Sequence, residues 1–238
     1  MTSSTQTRIR PAAERGAAEF GWLSSRHSFS FGHYFDPEHM GFRSLRVIND
    51  DRVRPGQGFG THPHRDMEIL SVVVEGALEH RDSLGTGSVI RPGEVQRMTA
   101  GTGVQHSEFN PSPSDDVRFL QIWIEPERTG LAPSYEQHVF PWEGLHGAWM
   151  LVASQDGRAG SLTVHQDVSM YRATLTEGAR IDQSFAAGRF AWLQVIEGTV
   201  EVDGRRLEEG DGLAIENPST LVVNGVGDWS DVLLFDLA

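Results

Sequence analysis

Apolar runs of strand length follow one another along the chain, and turn residues separate them. Residues 67–76, "MEILSVVVEG", form an apolar, β-branched run ended by Gly76, the pattern of a strand buried on both faces. A second such run, "VRFLQIWIEP" at 117–126, stops at Pro126. Between them, "ALEHRDSLGTGSVIRPGEVQRM" carries Gly and Pro-Gly turn signals at short spacing. Helical periodicity is weak throughout. This succession of short strands predicts an all-β fold, a sandwich or barrel. At the N-terminus, residues 1–7 are polar and expected to fray. Arg8–Asp51 is aromatic-rich, with short alternations.

The strand pattern occurs twice. "LSVVVEGALEH…IRPGEV" in the first half is echoed by "WLQVIEGTVEVDGRRLEEGDGLAI" in the second. Each has an apolar strand, Glu-Gly, another strand, and a Gly-containing turn before a further apolar strand. Aligning Glu75-Gly76 with Glu197-Gly198 gives two copies of one β unit. The polar stretch Gly130–Pro141, with Pro133 and Pro141, is the expected connection, and residues 1–135 and 136–238 are the expected domains.

Composition narrows the partners. A chain of 238 residues can bury a sizeable core, and 26 glycines and 11 prolines agree with many turns. The formal charge of −13 argues against nucleic-acid binding, which relies on Lys and Arg meeting phosphates. Cysteine is absent, so any metal must take nitrogen and oxygen ligands. The N-terminus lacks the apolar core of a secretory signal, and no apolar run reaches the ~18 residues of a membrane span. A soluble, cytoplasmic protein is expected.

The candidate chemistry lies in "GFGTHPHRDMEI", residues 58–69, and "TAGTGVQHSEFN", residues 99–110. Residues i and i+2 of a strand share a face, so His62 projects with His64, and His106 with Glu108. Two strands each offering two ligands would make a three-histidine, one-carboxylate set. Such a set suits Fe(II), Mn(II), Co(II), Ni(II), Cu(II) or Zn(II) and leaves two octahedral positions open. Glu68 has the same parity as His62 and His64, so parity leaves the choice of carboxylate open. The steps that lead from Glu75 back to His62 and His64 lead from Glu197 back to Ser184 and Ala186, so the site belongs to the first half. The remaining histidines read as ordinary: His27, His33 and His39 as packing residues, His80 as solvated in a hairpin, and His138, His146 and His165 as lacking a partner at ligand spacing. Trp123 and Phe59 read as core or rim aromatics that could line a pocket.

Gly56, His62, His64 and Glu68 resemble the first cupin motif, and Gly103, His106 and Asn110 the second. More specifically, "GWL…HSFSF", "LRVINDD", "GFGTHPHRDMEI", "AGTGVQHSE" and "LQIWI" resemble the pirin family, in particular its bacterial quercetinase-like members. Softer matches, "YEQ", "VHQD", "DGLAI" and "LLFDL", extend to the C-terminus. The resemblance implies a bicupin, two jelly-roll barrels face to face, with one divalent metal ion per chain in the first, Fe(II) foremost. It also implies His62, His64, His106 and Glu108 as ligands, with Glu68 in a supporting role.

The activity so implied is a dioxygenase opening flavonols such as quercetin with loss of carbon monoxide. Its partners would be a flavonol-like aromatic and O2, and Glu108 would serve as ligand and general base. The chain would act as a monomer. The alternative is a non-enzymatic metal- or redox-sensing regulator of the kind eukaryotic pirins resemble. Against it stand the acidic charge and the lack of an evident partner-binding helix.

Overall fold

The computed structural model describes residues 5–238, and strands dominate it. In chain order they are β1 (Gln6–Arg10), β2 (Gly16–Glu19), β3 (Leu23–His27), β4 (Leu45–Val53), β5 (Gly58–His64), β6 (Glu68–Glu75) and β7 (Leu78–Asp82). Next come β8 (Gly87–Ile90), β9 (Glu94–Thr99), β10 (Val104–Phe109), β11 (Val117–Ile124), β12 (Ser134–Val139), β13 (Met150–Ser154) and β14 (Leu162–Thr163). The chain ends with β15 (Val168–Leu175), β16 (Arg180–Ser184), β17 (Phe190–Val202), β18 (Arg205–Glu208), β19 (Gly212–Glu216) and β20 (Thr220–Leu237). No helix among the described residues is long and apolar enough to cross a membrane.

Gly16–Phe140 with Leu162–Gln166 form one compact unit; residues 5–15, Pro141–Ser161 and Asp167–Ala238 form the other. Gln6 and Thr7, expected to fray, belong to β1, which pairs with β19; residues 1–4 lie outside the described residues. The stretch expected as a connection holds β12, whose Ser134–Val139 pair residue by residue with Thr99–Glu94 of β9.

The first unit is a seven-stranded sheet, ordered β12-β9-β6-β11-β4-β3-β2, and a four-stranded sheet, ordered β5-β10-β7-β8. The two sheets are separate, so this jelly-roll half is an open sandwich and not a continuously bonded barrel. Leu23, Val53, Val73, Leu78, Ile90, Val117 and Phe119 form one buried cluster, joined by Trp22 and Phe59. β6 and β11 are the apolar runs noted above, and both are almost wholly buried.

A row of polar side chains crosses the seven-stranded sheet at one level. His27 lies opposite Asn49, Asn49 opposite Gln121, Gln121 opposite Ser71, Ser71 opposite Gln96, and Gln96 opposite Gln137. Directly opposed residues share a face. His27, Asn49, Gln121, Ser71 and Gln96 are all buried, and buried polar groups require partners. This row is where the fold prepares its site.

In the second unit, sheet neighbours run β1-β19-β17-β20-β15-β13, with β16 on β20 and β18 on β17. Register shifts in β17, at Val195/Glu197 and Gly198/Val200, let one long strand change direction. The repeat is visible in the backbone. Gly76 and Gly198 both have φ of 75°, and a Cβ at either would strike a carbonyl oxygen, that of Asp116 or of Trp229. The strand pair β5–β10, with His62 opposite His106, corresponds to β16–β20, with Ser184 opposite Thr220.

Candidate metal centre

The four-stranded sheet places its chemistry by register. On β5 and β10, His64 lies opposite Val104 and His62 opposite His106; a bulge then sets Glu108 opposite Phe59. On the other side of β10, His106 faces Asp82 and Glu108 faces His80 across to β7. Three i, i+2 pairs on three neighbouring strands therefore share one face.

His62, His64 and His106 converge. Their ring centroids are 4.4 Å (His62–His106), 4.8 Å (His62–His64) and 4.8 Å (His64–His106) apart. Nε2 of His62 lies 3.0 Å from Nε2 of His106. His62 Nδ1 is 2.8 Å from the carbonyl oxygen of Gly60. A carbonyl only accepts, so that nitrogen donates and Nε2 of a neutral His62 carries the lone pair. Two ligands at right angles on an ion with ~2.1 Å bonds are about 3.0 Å apart. The spacing and the exposed lone pair both fit a shared cation, and the Gly60 bond is the ring-orienting contact that ligating histidines need.

Burial keeps two of these rings, His64 and His106, neutral. It pushes His64 down to about 4, with the charge of His62 adding to it. It pushes His106 down to about 2, with His62, His64 and His80 contributing. Neutral imidazole is the form that ligates a metal.

Glu108 is the second part. Its donor atoms group with those of His106 and His80, all three buried, rather than with the three-imidazole group. Gln121 Nε2 donates to its Oε2 at 2.7 Å, and Gln96 Nε2 and Ser71 Oγ donate to Oε1 at 3.2 and 3.3 Å. The polar row thus suspends this carboxylate over the sheet. Burial still outweighs those bonds and pushes Glu108 up to about 7.

His62, His64, Glu108, Gln121 and Trp123 line one cavity of about 580 Å³, walled also by Phe20, Phe31, Tyr34 and Phe59. Trp123 meets His64 edge-on at 4.9 Å and Phe31 at 5.3 Å. Trp123 and Phe59 are therefore pocket walls. Ser25, His27, Asn49 and Asp51 supply the polar part of the lining.

Among the other residues, His80 departs from expectation and His27 meets it. His80 is not solvated; its side chain is fully buried against Asp82. The sequence conceals it because a hairpin strand ordinarily turns one face to water, although His80 and Asp82 show the same i, i+2 spacing as the other pairs. Gln121, Ser71 and Gln96 are concealed as well, since only their cross-strand pairing reveals them. Glu68 is buried and engaged with Thr99 Oγ1 at 3.0 Å and His165 Nδ1 at 3.3 Å, away from the three imidazoles. His27 is a packing residue, with Nδ1 2.8 Å from Asn49 Oδ1, and His39 pairs with Asp36.

A two-unit cupin-type β fold whose first unit gathers three imidazoles beside a buried carboxylate defines the class. Residues 8–124 match the pirin profile, and residues 151–237 match the quercetinase C-terminal cupin domain. A quercetin 2,3-dioxygenase of Escherichia coli strain K12 is 49% identical over 229 residues, covering 96% of this chain and 97% of that protein. The chain belongs to the pirin family. The crystal structure of YhhW from Escherichia coli superposes with a TM-score of 0.94 at 48% identity, covering 98% of each chain. A structure of the bacterial pirin YhhW from Escherichia coli in complex with nickel(II) gives 0.92 at 49% identity, covering 98% of this chain and 99% of that one.

Proposed function

We propose that this protein is a mononuclear metal-dependent dioxygenase that opens the heterocycle of flavonols such as quercetin, using O2 and releasing carbon monoxide. His62, His64, His106 and Glu108 would hold one divalent transition ion, iron(II) foremost, with nickel, cobalt, manganese, copper or zinc as alternatives. The observation that carries this is the convergence of three imidazoles, two of which, His62 and His64, stand in the wall of an aromatic cavity that also holds the Glu108 carboxylate. Bound there, the ion supplies Lewis acidity toward the 3-hydroxyl of the flavonol.

The chain's own residues do the rest. Trp123, Phe31, Tyr34 and Phe59 offer flat apolar surface to a planar polycyclic substrate, which favours aromatic contacts. Glu108, held near 7 by burial, is matched to accept the hydroxyl proton at neutral pH. Gln121, Gln96 and Ser71 fix that carboxylate in place.

Aerobic incubation of metal-replete protein with quercetin should bleach the flavonol's long-wavelength absorbance and release carbon monoxide. No consumption with iron, nickel, cobalt, manganese or copper would end the dioxygenase reading.

Stoichiometry gives a second test. The β16–β20 pair presents Ser184 opposite Thr220 and Asp182 opposite Val222, so the second unit has no imidazole at the matching places. Elemental analysis should find one tightly held ion per chain; two would overturn the assignment to the first unit alone.

A further inference from the structure

On the side of His106 away from His62 lies a pair of residues that this reading leaves unused. The side chains of His80 and Asp82 are 0% exposed. His80 Nε2 is 3.0 Å from Asp82 Oδ2, and His80 Nδ1 is 3.4 Å from Nδ1 of His106. Asp82 is anchored independently, because its Oδ1 accepts the backbone amides of Leu84 and Thr86 at 2.9 and 3.0 Å. Tyr135 stacks on the His80 ring with centroids 4.8 Å apart and planes at 29°, which holds that ring's rotation.

The direction of hydrogen bonding along this line is determined by its end. A carboxylate only accepts, so His80 donates from Nε2. A neutral imidazole has one proton, so Nδ1 of His80 is left to accept. His106 must then donate from Nδ1. Its lone pair falls on Nε2, the nitrogen 3.0 Å from Nε2 of His62.

We propose that Asp82 and His80 form a buried relay that fixes the tautomer of His106, so that its Nε2 lone pair is presented to the metal. This rests on His106 being a ligand. His80 and Asp82 are positioning residues: they act through His106 and touch neither ion nor substrate. An ordinary buried His–Asp pair, by contrast, would only satisfy its own polar atoms, and an isosteric amide in place of the carboxylate would serve it as well.

Asp82→Asn separates the two. The amides of Leu84 and Thr86 hold the asparagine's single oxygen, so its NH2 group faces His80 Nε2 and forces that nitrogen to accept. The proton of His80 then sits on Nδ1, His106 accepts there, and the proton of His106 moves to Nε2, against His62. One substituted atom reverses the line, as an asparagine behind a catalytic histidine traps the wrong tautomer.

The experiment uses the full chain, free of metal and labelled with 15N-histidine. Long-range 1H–15N correlation reads the tautomers, and the His106 signals are identified by their loss in His106→Gln. The bare nitrogen of His106 should be Nε2 in the wild type and Nδ1 in Asp82→Asn. Nickel(II) affinity, measured by competition with a chelating dye, should fall about 10- to 100-fold in Asp82→Asn. A wild-type His106 with its bare nitrogen at Nδ1 overturns the relay without recourse to any variant. Unchanged nickel affinity in Asp82→Asn, beside lost affinity in His106→Gln, overturns it too. Nickel held as tightly by His106→Gln as by the wild type overturns instead the ligand assignment on which it rests.

Discussion

His62→Ala should release the metal and lower flavonol turnover by more than about 100-fold, while the protein unfolds as cooperatively as before. The floor on that figure comes from residues one step removed from a metal, whose loss already costs 10- to 100-fold. His62 stands on β5, in the four-stranded sheet, and it is half-buried, whereas His106 is only 2% exposed. It takes no part in the buried cluster formed by Leu23, Val53, Val73, Leu78, Ile90, Val117 and Phe119. Truncation at such a position shifts stability by about 0.5 kcal/mol or somewhat more. Metal content, carbon monoxide release and a thermal melt on the same preparation check the claim. A variant that keeps its metal and its turnover would remove His62 from the ligand set; one that loses cooperativity would show that the ion is structural.

The parts of this site that were legible in the sequence are those with a short-range period. His62 with His64, and His106 with Glu108, declare themselves because i and i+2 share a strand face. The two-unit β organisation shows in the paired Glu-Gly turns, where Gly76 and Gly198 adopt the same positive φ. What stayed hidden depends on register between distant strands. Nothing in "LEHRD" reveals that β7 lies against β10 with His80 opposite Glu108, so a buried histidine passed for a solvated one. The polar row is hidden for the same reason, since Asn49, Gln121, Ser71 and Gln96 come from four strands and each alone resembles a tolerated polar residue. β12 was hidden by composition: its polar residues pair at the end of a sheet, where one neighbour suffices. The adjacent pair Asp50-Asp51 shows how far strand alternation separates like residues. Asp50 points to one face and accepts two bonds from Arg118, both at 2.9 Å. Asp51 points to the other, into the cavity lining, and among the described residues its Oδ1 has no hydrogen-bond partner.

That second aspartate carries the other large expectation. Asp51→Asn should make the metal-free protein more stable at pH 8 and flatten its dependence on pH. Burial pushes the Asp51 carboxyl up from 3.8 to about 7, with Ser25 opposing and the charges of Asp50 and Glu108 adding to it. A carboxyl whose pKa rises on folding is more protonated in the folded chain than in the unfolded one. Its cost is therefore absent below about pH 4, grows as pH rises, and is complete above about 7. At about 1.4 kcal/mol per pH unit this amounts to at most ~4 kcal/mol. Asparagine has no proton to lose, so the penalty disappears, offset by about 1 kcal/mol or more for an amide that must find partners in the same place. Near pH 4 the variant should match the wild type or fall below it; at pH 8 it should exceed it. Glu108 titrates in both proteins, so the difference between them reports Asp51 together with its charge coupling to Glu108. Denaturant midpoints at pH 4, 6 and 8 decide the matter, and parallel pH profiles for the two proteins would mean that Asp51 is ionised in the folded state and partnered by something other than Ser25.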